Sequence, residues 1–161
     1  MSVMTESGRA ALALAVKNQT IHLAWGSGDA DWDDSPAAPD TDATELENEI
    51  GRVYAFNSLF VTPDTEGSIL LPDNNRYTVS TDPTRHLYLD FKFGFTDGVG
   101  STIRELGIFI GGVVKDSVAP GKTYLLPADL ESPGILLMLE HREALLRKAS
   151  ERVEMQWVIS L

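Results

Sequence analysis

At 161 residues, 43% of them hydrophobic and 23% charged, the chain is long enough for one domain with a real core, which excludes wholesale disorder. It has no cysteine, so disulfide frameworks, thiolate metal sites and cysteine nucleophiles are excluded together. Its formal net charge of −11 argues against nucleic acid as a partner, because phosphate binding needs a basic surface.

That charge is local. Nine acids and no Lys or Arg lie between Asp29 and Glu49, while the other 15 acids are set against 13 basic residues. No apolar run reaches the roughly 18 residues of a membrane-spanning helix. The run "AALALAV" (10–16) follows Glu6 and Arg9 rather than a basic cluster, so it reads as the buried stripe of a helix and not as a signal peptide.

In chain order, residues 5–17 predict a helix capped by Thr5 or Ser7, with Leu12 and Val16 facing a core. "IHLAW" (21–25) predicts a strand that runs into the glycine turn "GSGD". Residues 29–43, with Pro36 and Pro39, predict an exposed loop. Thr44 and Glu47 form an S/T-x-x-E capping box, so 44–51 predicts a second short helix ending at Gly51.

The period then changes to two. Strands are expected over 52–61, 67–72 and 76–81, the last two joined by a tight turn at "DNN". The clearest alternation is "HLYLDFKFGF" (86–95). Leu87, Leu89, Phe91, Phe93 and Phe95 share one face, and His86, Tyr88, Asp90 and Lys92 share the other. "TIRELGIFIG" (102–111) is expected to return as its paired strand. Residues 112–134, with three prolines, predict a long connection. "GILLMLEH" (134–141) predicts a strand, 142–150 a short helix or irregular crossover, and 153–161 an alternating final strand. The expected fold is one α+β domain over 1–161: a mostly antiparallel β sheet or sandwich with a short N-terminal helix and a second short helix.

Patterns that would carry chemistry are few. His22, His86 and His141 are far apart and would have to converge to bind a metal. There is no G-x-S-x-G elbow, Walker loop or H-E-x-x-H. Asp29, Asp31 and Asp33 alternate as calcium ligands do, but the sixth position of such a loop is Asp34 and not glycine. The competing readings are a solvated acidic loop and a loop that docks on a basic partner. Arg104 and Glu105 interrupt an apolar strand. As neighbours on a strand they point to opposite faces, so each is expected to anchor a nearby segment or meet a partner rather than form a catalytic pair. Trp25, Trp32 and Trp157, with the acids near Trp32, leave open a calcium-assisted carbohydrate-binding module.

Three landmarks together carry a resemblance. The first is Thr5 and Gly8, the helix 10–16, and the turn Gly26, Gly28, Asp29. The second is Ala43, Thr44, Leu46, Asn48 and Glu49. The third is "IRELGIF" (103–109). In this order, within 5–112, they resemble the N-terminal, baseplate-attaching domain of phage tail-fibre and tail-collar proteins. The strands of 134–161 follow. The resemblance implies a non-enzymatic structural protein of a bacteriophage tail. It would stand alone as a small baseplate or tail-fibre adaptor, made in the host cytoplasm and carried in the virion at the tail tip. Its partners would be other tail and baseplate proteins and the fibres. It would assemble as a trimer or a multiple of three, with no cofactor. A tail assembly chaperone absent from the mature particle is the other reading. The residues expected at partner contacts are Trp32, Asp33, Asp34, Arg104, Glu105 and Leu161, with Leu161 suited to pair with a neighbouring strand.

Overall fold

The computed structural model describes residues 1–161. It contains one α-helix, α1 (Glu6–Lys17), and eleven strands: β1 (Ile21–Gly26), β2 (Glu49–Pro63), β3 (Ile69–Leu70), β4 (Arg76–Val79), β5 (His86–Phe93), β6 (Thr102–Ile110), β7 (Val113–Val114), β8 (Tyr124–Leu125), β9 (Leu130–Ser132), β10 (Ile135–Leu146) and β11 (Val153–Ser160). Two 3-10 turns, Ala30–Trp32 and Pro127–Asp129, complete the elements. The fold is α+β, mostly antiparallel sheet with a short N-terminal helix. No helix is long and apolar enough to cross a membrane. The chain forms two compact units, one of 1–19, 55–91 and 154–161, the other of 20–54 and 92–153.

In the first unit, Thr5 caps α1 by accepting the Gly8 N–H at 3.1 Å. Glu6 in the first turn and Lys17 in the last complement the helix dipole. Ala13 is the buried residue, and Leu12 is 47% exposed, so the inward stripe is rotated from the one expected. A seven-residue apolar run has no polar position to mark which face turns in. The strands run β11–β5–β2–β4–β3. The β3–β4 hairpin closes as the sequence predicts: Leu71 N–H donates to Asn75 O, and Asn74 takes the left-handed φ of 66° that Asn tolerates. On β5, Leu87, Leu89 and Phe91 are fully buried, but Tyr88 and Asp90 are buried as well. Tyr88 packs with Val61 and Leu71. Burial, followed by the nearby Asp90 and Glu154, pushes its phenol up to about 12.

In the second unit the strands run β10–β6–β1–β2–β8, all antiparallel. At its centre Trp25 stacks on Phe93 at 3.5 Å and donates its indole N–H to the Tyr124 hydroxyl at 2.9 Å. The buried Arg147 guanidinium lies 5.2 Å from the Trp25 ring and donates to the carbonyls of Gly94, Asp97 and Glu151.

Several expectations are corrected. β5 and β6 are not partners: β5 pairs with β2 and β11, and β6 pairs with β1 and β10. Alternation tells which residues share a face but is blind to which strand lies alongside. Residues 44–48 are bends leading into β2 and not a helix, and β10 continues as strand to Leu146 where a helix or crossover was expected. No second α-helix forms, and the two 3-10 turns lie elsewhere, at Ala30–Trp32 and Pro127–Asp129. The 112–134 connection contains β7, β8 and β9, with β7 and β9 forming a separate ribbon.

Candidate functional site

The most elaborate polar construction lies where the β1 turn and the acidic loop meet β6. Glu105 is fully buried, opposite Gly26 in the β1–β6 register. Its carboxylate accepts three backbone N–H bonds, from Gly28 at 3.2 Å, Glu47 at 2.9 Å and Asn48 at 2.8 Å. One charge therefore ties both ends of the acidic loop to the sheet, and such charge-assisted bonds are the strong class. This explains why 44–48 is not helical: the Glu47 and Asn48 donors are directed at Glu105. Gly26 must be glycine here, because a Cβ would come within 2.3 Å of the Glu105 carboxylate and 2.6 Å of Asn48 O.

Arg104 holds the same loop at other points. It binds Asp33 through two nitrogens, at 2.5 and 3.2 Å, and donates to Ser27 O at 3.0 Å. The guanidinium holds the Asp33 carboxyl below the usual carboxylate range, and Asp33 raises Arg104 in turn. Trp32 stacks on His141 at 4.0 Å and lies over Gly28, where a Cβ would stand 2.5 Å from the ring. His141 Nδ1 lies 2.8 Å from Ala37 O, so the proton it donates is on Nδ1. Leu46 is buried against Ala24, Phe109, Leu136 and Leu139. It fits because Gly107 has no side chain: a Cβ there would be 2.4 Å from Leu46. At the far end, Glu49 accepts two 2.7 Å bonds from the buried Arg52, which also donates to Pro133 O and lies 4.1 Å from the Phe109 ring centroid.

Of the nine acids in this segment, Asp33 and Glu49 have ion-pair partners. Asp29, Asp31, Asp34, Asp40, Asp42, Glu45 and Glu47 are exposed and make no ion pair. The site is a held, negatively charged loop.

Asp29, Asp31 and Asp33 are not gathered round one point. Asp29 caps the 3-10 turn by accepting the Asp31 N–H, and Asp33 is turned to Arg104. No group of three or more His, Asp or Glu is placed to hold a metal ion. Trp25 is fully buried and offers no face to a sugar, and Trp157 packs edge-on against Phe91. Leu161 donates its N–H to Arg85 O. Sequence reasoning missed Arg52 and Arg147. Arg52 is a lone basic residue beside apolar strand residues and Arg147 directly follows the apolar Leu145 and Leu146, and that placement was the available signal.

His22 is also buried, with neither ring nitrogen hydrogen-bonded and its ring 4.5 Å from Tyr54. Burial, then the charge of Arg52, lowers its pKa from 6.5 to about 4. The fold therefore favours the neutral ring. This contribution is complete above pH 6.5 and is lost as pH falls from 6.5 towards 4, about 3 kcal/mol in all. His86, whose pKa is lowered by burial and by Arg85, acts in the same direction. Urea unfolding of wild type and His22→Leu at pH 7 and pH 4 should show the variant losing less stability. Equal losses would mean that His22 titrates normally.

The charged side chains of this β-rich chain fix backbone and shape a loop. Over residues 1–161 it matches the family described as "Baseplate wedge 3 tail fiber network component", and the chain belongs to that family. It is a structural component of the bacteriophage baseplate and tail-fibre network, and its place is the virion tail. No curated protein matches the chain.

Proposed function

We propose that this chain is a baseplate or tail-fibre adaptor, joining neighbouring tail proteins and fibres through protein–protein contacts and without catalysis. The observation that carries this reading is the acidic loop held by Glu105 and Arg104. A loop already fixed at both ends loses little entropy on docking. Its seven exposed carboxylates without ion pairs would steer a basic neighbour and set register. Trp32, Asp33 and Asp34 form the contact surface. Arg104 and the buried Glu105 act behind it by fixing its shape, and Leu161, just past the end of β11 at Ser160, lies where a neighbouring strand can meet it. In the particle the chain is present as a trimer or a multiple of three, and it is made in the host bacterial cytoplasm.

The test is binding to the neighbour identified by cross-linking in intact tails. Replacing Asp31, Asp34, Asp40 and Asp42 together by Asn should slow association by about tenfold or more at low salt and flatten its salt dependence, with little change in folding stability. An unchanged association rate would remove the loop from the interface. Calcium-dependent binding to a glycan array would instead favour the carbohydrate-binding reading.

A further inference from the structure

Strand β10 is the open edge of the second unit. It pairs with β6 on one side, and no strand pairs with it on the other. It is long, Ile135–Leu146, and it carries exposed apolar side chains: Ile135 at 69%, Met138 at 41% and Leu146 at 52%. Such an edge is a template for another strand unless something guards it. Its middle reads Glu140-His141-Arg142-Glu143. None of these three charged residues has an ion-pair partner on its own chain, and the Arg142 Nε is buried with no hydrogen bond. The register against β6 shifts twice, between Leu136 and Met138 and between His141 and Leu145, so Leu137, Arg142, Glu143 and Ala144 have no counterparts on β6.

We propose that β10 pairs with β10 of a second copy of this chain, antiparallel, about a twofold axis at His141. The argument is charge complementarity along one strand read in both directions. Centred on His141, the pairing sets Glu140 opposite the partner copy's Arg142, and Arg142 opposite its Glu140. Opposite charges directly across an antiparallel pair are stabilising and like charges destabilising. The same register sets Leu136 against Leu146, Leu137 against Leu145 and Met138 against Ala144, so the exposed Met138 and Leu146 gain apolar neighbours, while the one mismatched pair, Leu139 against Glu143, leaves an exposed carboxylate at the solvent. A twofold contact is self-complementary by construction, so each favourable pair occurs twice. This contact is independent of the adaptor reading, because an adaptor can dock its fibres with or without pairing to itself; on copy number it selects an even multiple of three, such as six, over a lone trimer. The opposing possibility is that the irregularity at 142–144 is a bulge that guards the edge.

Sedimentation velocity of the full-length chain across a concentration series separates the two. Wild type should show a monomer–dimer equilibrium. Glu140→Arg and Arg142→Glu, each alone, set like charges across the axis and should weaken the dimer by about tenfold or more. The double variant Glu140→Arg/Arg142→Glu restores opposite charges and should restore dimerisation. Near-UV circular dichroism checks that each variant is folded, and the exposed Glu140→Arg keeps the test valid should Arg142→Glu fail to fold. A chain that stays monomeric at every concentration, or an oligomer indifferent to the reversals, overturns the proposal.

Discussion

Replacing Glu105 by Ala should cost about 4 kcal/mol or more of folding stability, the largest single loss expected from one side chain here. Glu105 is fully buried and accepts from Gly28, Glu47 and Asn48. Removing it leaves three backbone donors without their acceptor, and each bond to a charged group is worth roughly 1.5–3 kcal/mol. The sum is reduced because a loosened loop lets water reach some of these donors. Glu105→Gln should fall in between, since its amide keeps one acceptor oxygen but turns an NH2 group towards N–H donors. Both variants should also become sensitive to limited proteolysis within 29–43, because the loop loses the tie at both of its ends. Denaturant unfolding gives the energy, and mass spectrometry of the first fragments gives the place. A loss below about 1 kcal/mol for Glu105→Ala would mean that the carboxylate does not organise the loop.

Arg52→Met comes second, at about 3–5 kcal/mol. The guanidinium is fully buried, yet it makes two 2.7 Å bonds to Glu49, one to Pro133 O, and lies on the Phe109 ring. Methionine matches much of its stem but leaves the Glu49 carboxylate, 16% exposed, without its counter-charge. The double variant Glu49→Leu/Arg52→Met removes both charges and should recover a large part of the loss. That recovery is the mark of a pair whose value lies in mutual compensation and not in net attraction. Arg52→Lys should also be clearly destabilising, because a point charge cannot form the two-pronged contact or stack flat on Phe109. Additive effects of Glu49→Leu and Arg52→Met would contradict the coupling.

The fold was partly legible from local pattern. Turn chemistry located the "DNN" hairpin, period-two alternation located β5 and β11, and β6 was located as an apolar run returning after a glycine turn, because each depends on residues close in sequence. Pairing was not legible. The strand after β5 is β6, yet β6 lies between β1 and β10, and an alternating strand accepts any partner that covers its apolar face. The short strands β7, β8 and β9 were read as connection because two or three residues carry no period. The capping-box signature at 44–47 failed for a specific reason. The Asn48 N–H, which would close the first helical turn onto the Thr44 carbonyl, is taken by a buried carboxylate 57 residues further along the chain, on Glu105.

The candidate site was readable in outline. The charged pair inside "TIRELGIF" signalled anchors and not a catalytic couple, and the structure shows Arg104 and Glu105 bound to the loop and not to each other. That the two hold one loop was hidden, because nothing local states how far a strand residue reaches. Gly107 shows the same limit: its role becomes visible only when Leu46 is seen filling the space above it.

The central claim is that this chain is a resident structural adaptor of the baseplate and tail-fibre network. Quantitative mass spectrometry of purified, intact tails tests it most directly, with copy number referred to the major tail-tube protein. A fixed, low number per tail, in a multiple of three, is the predicted result. Absence of the chain from mature tails would contradict the account and would move a tail assembly chaperone to the front.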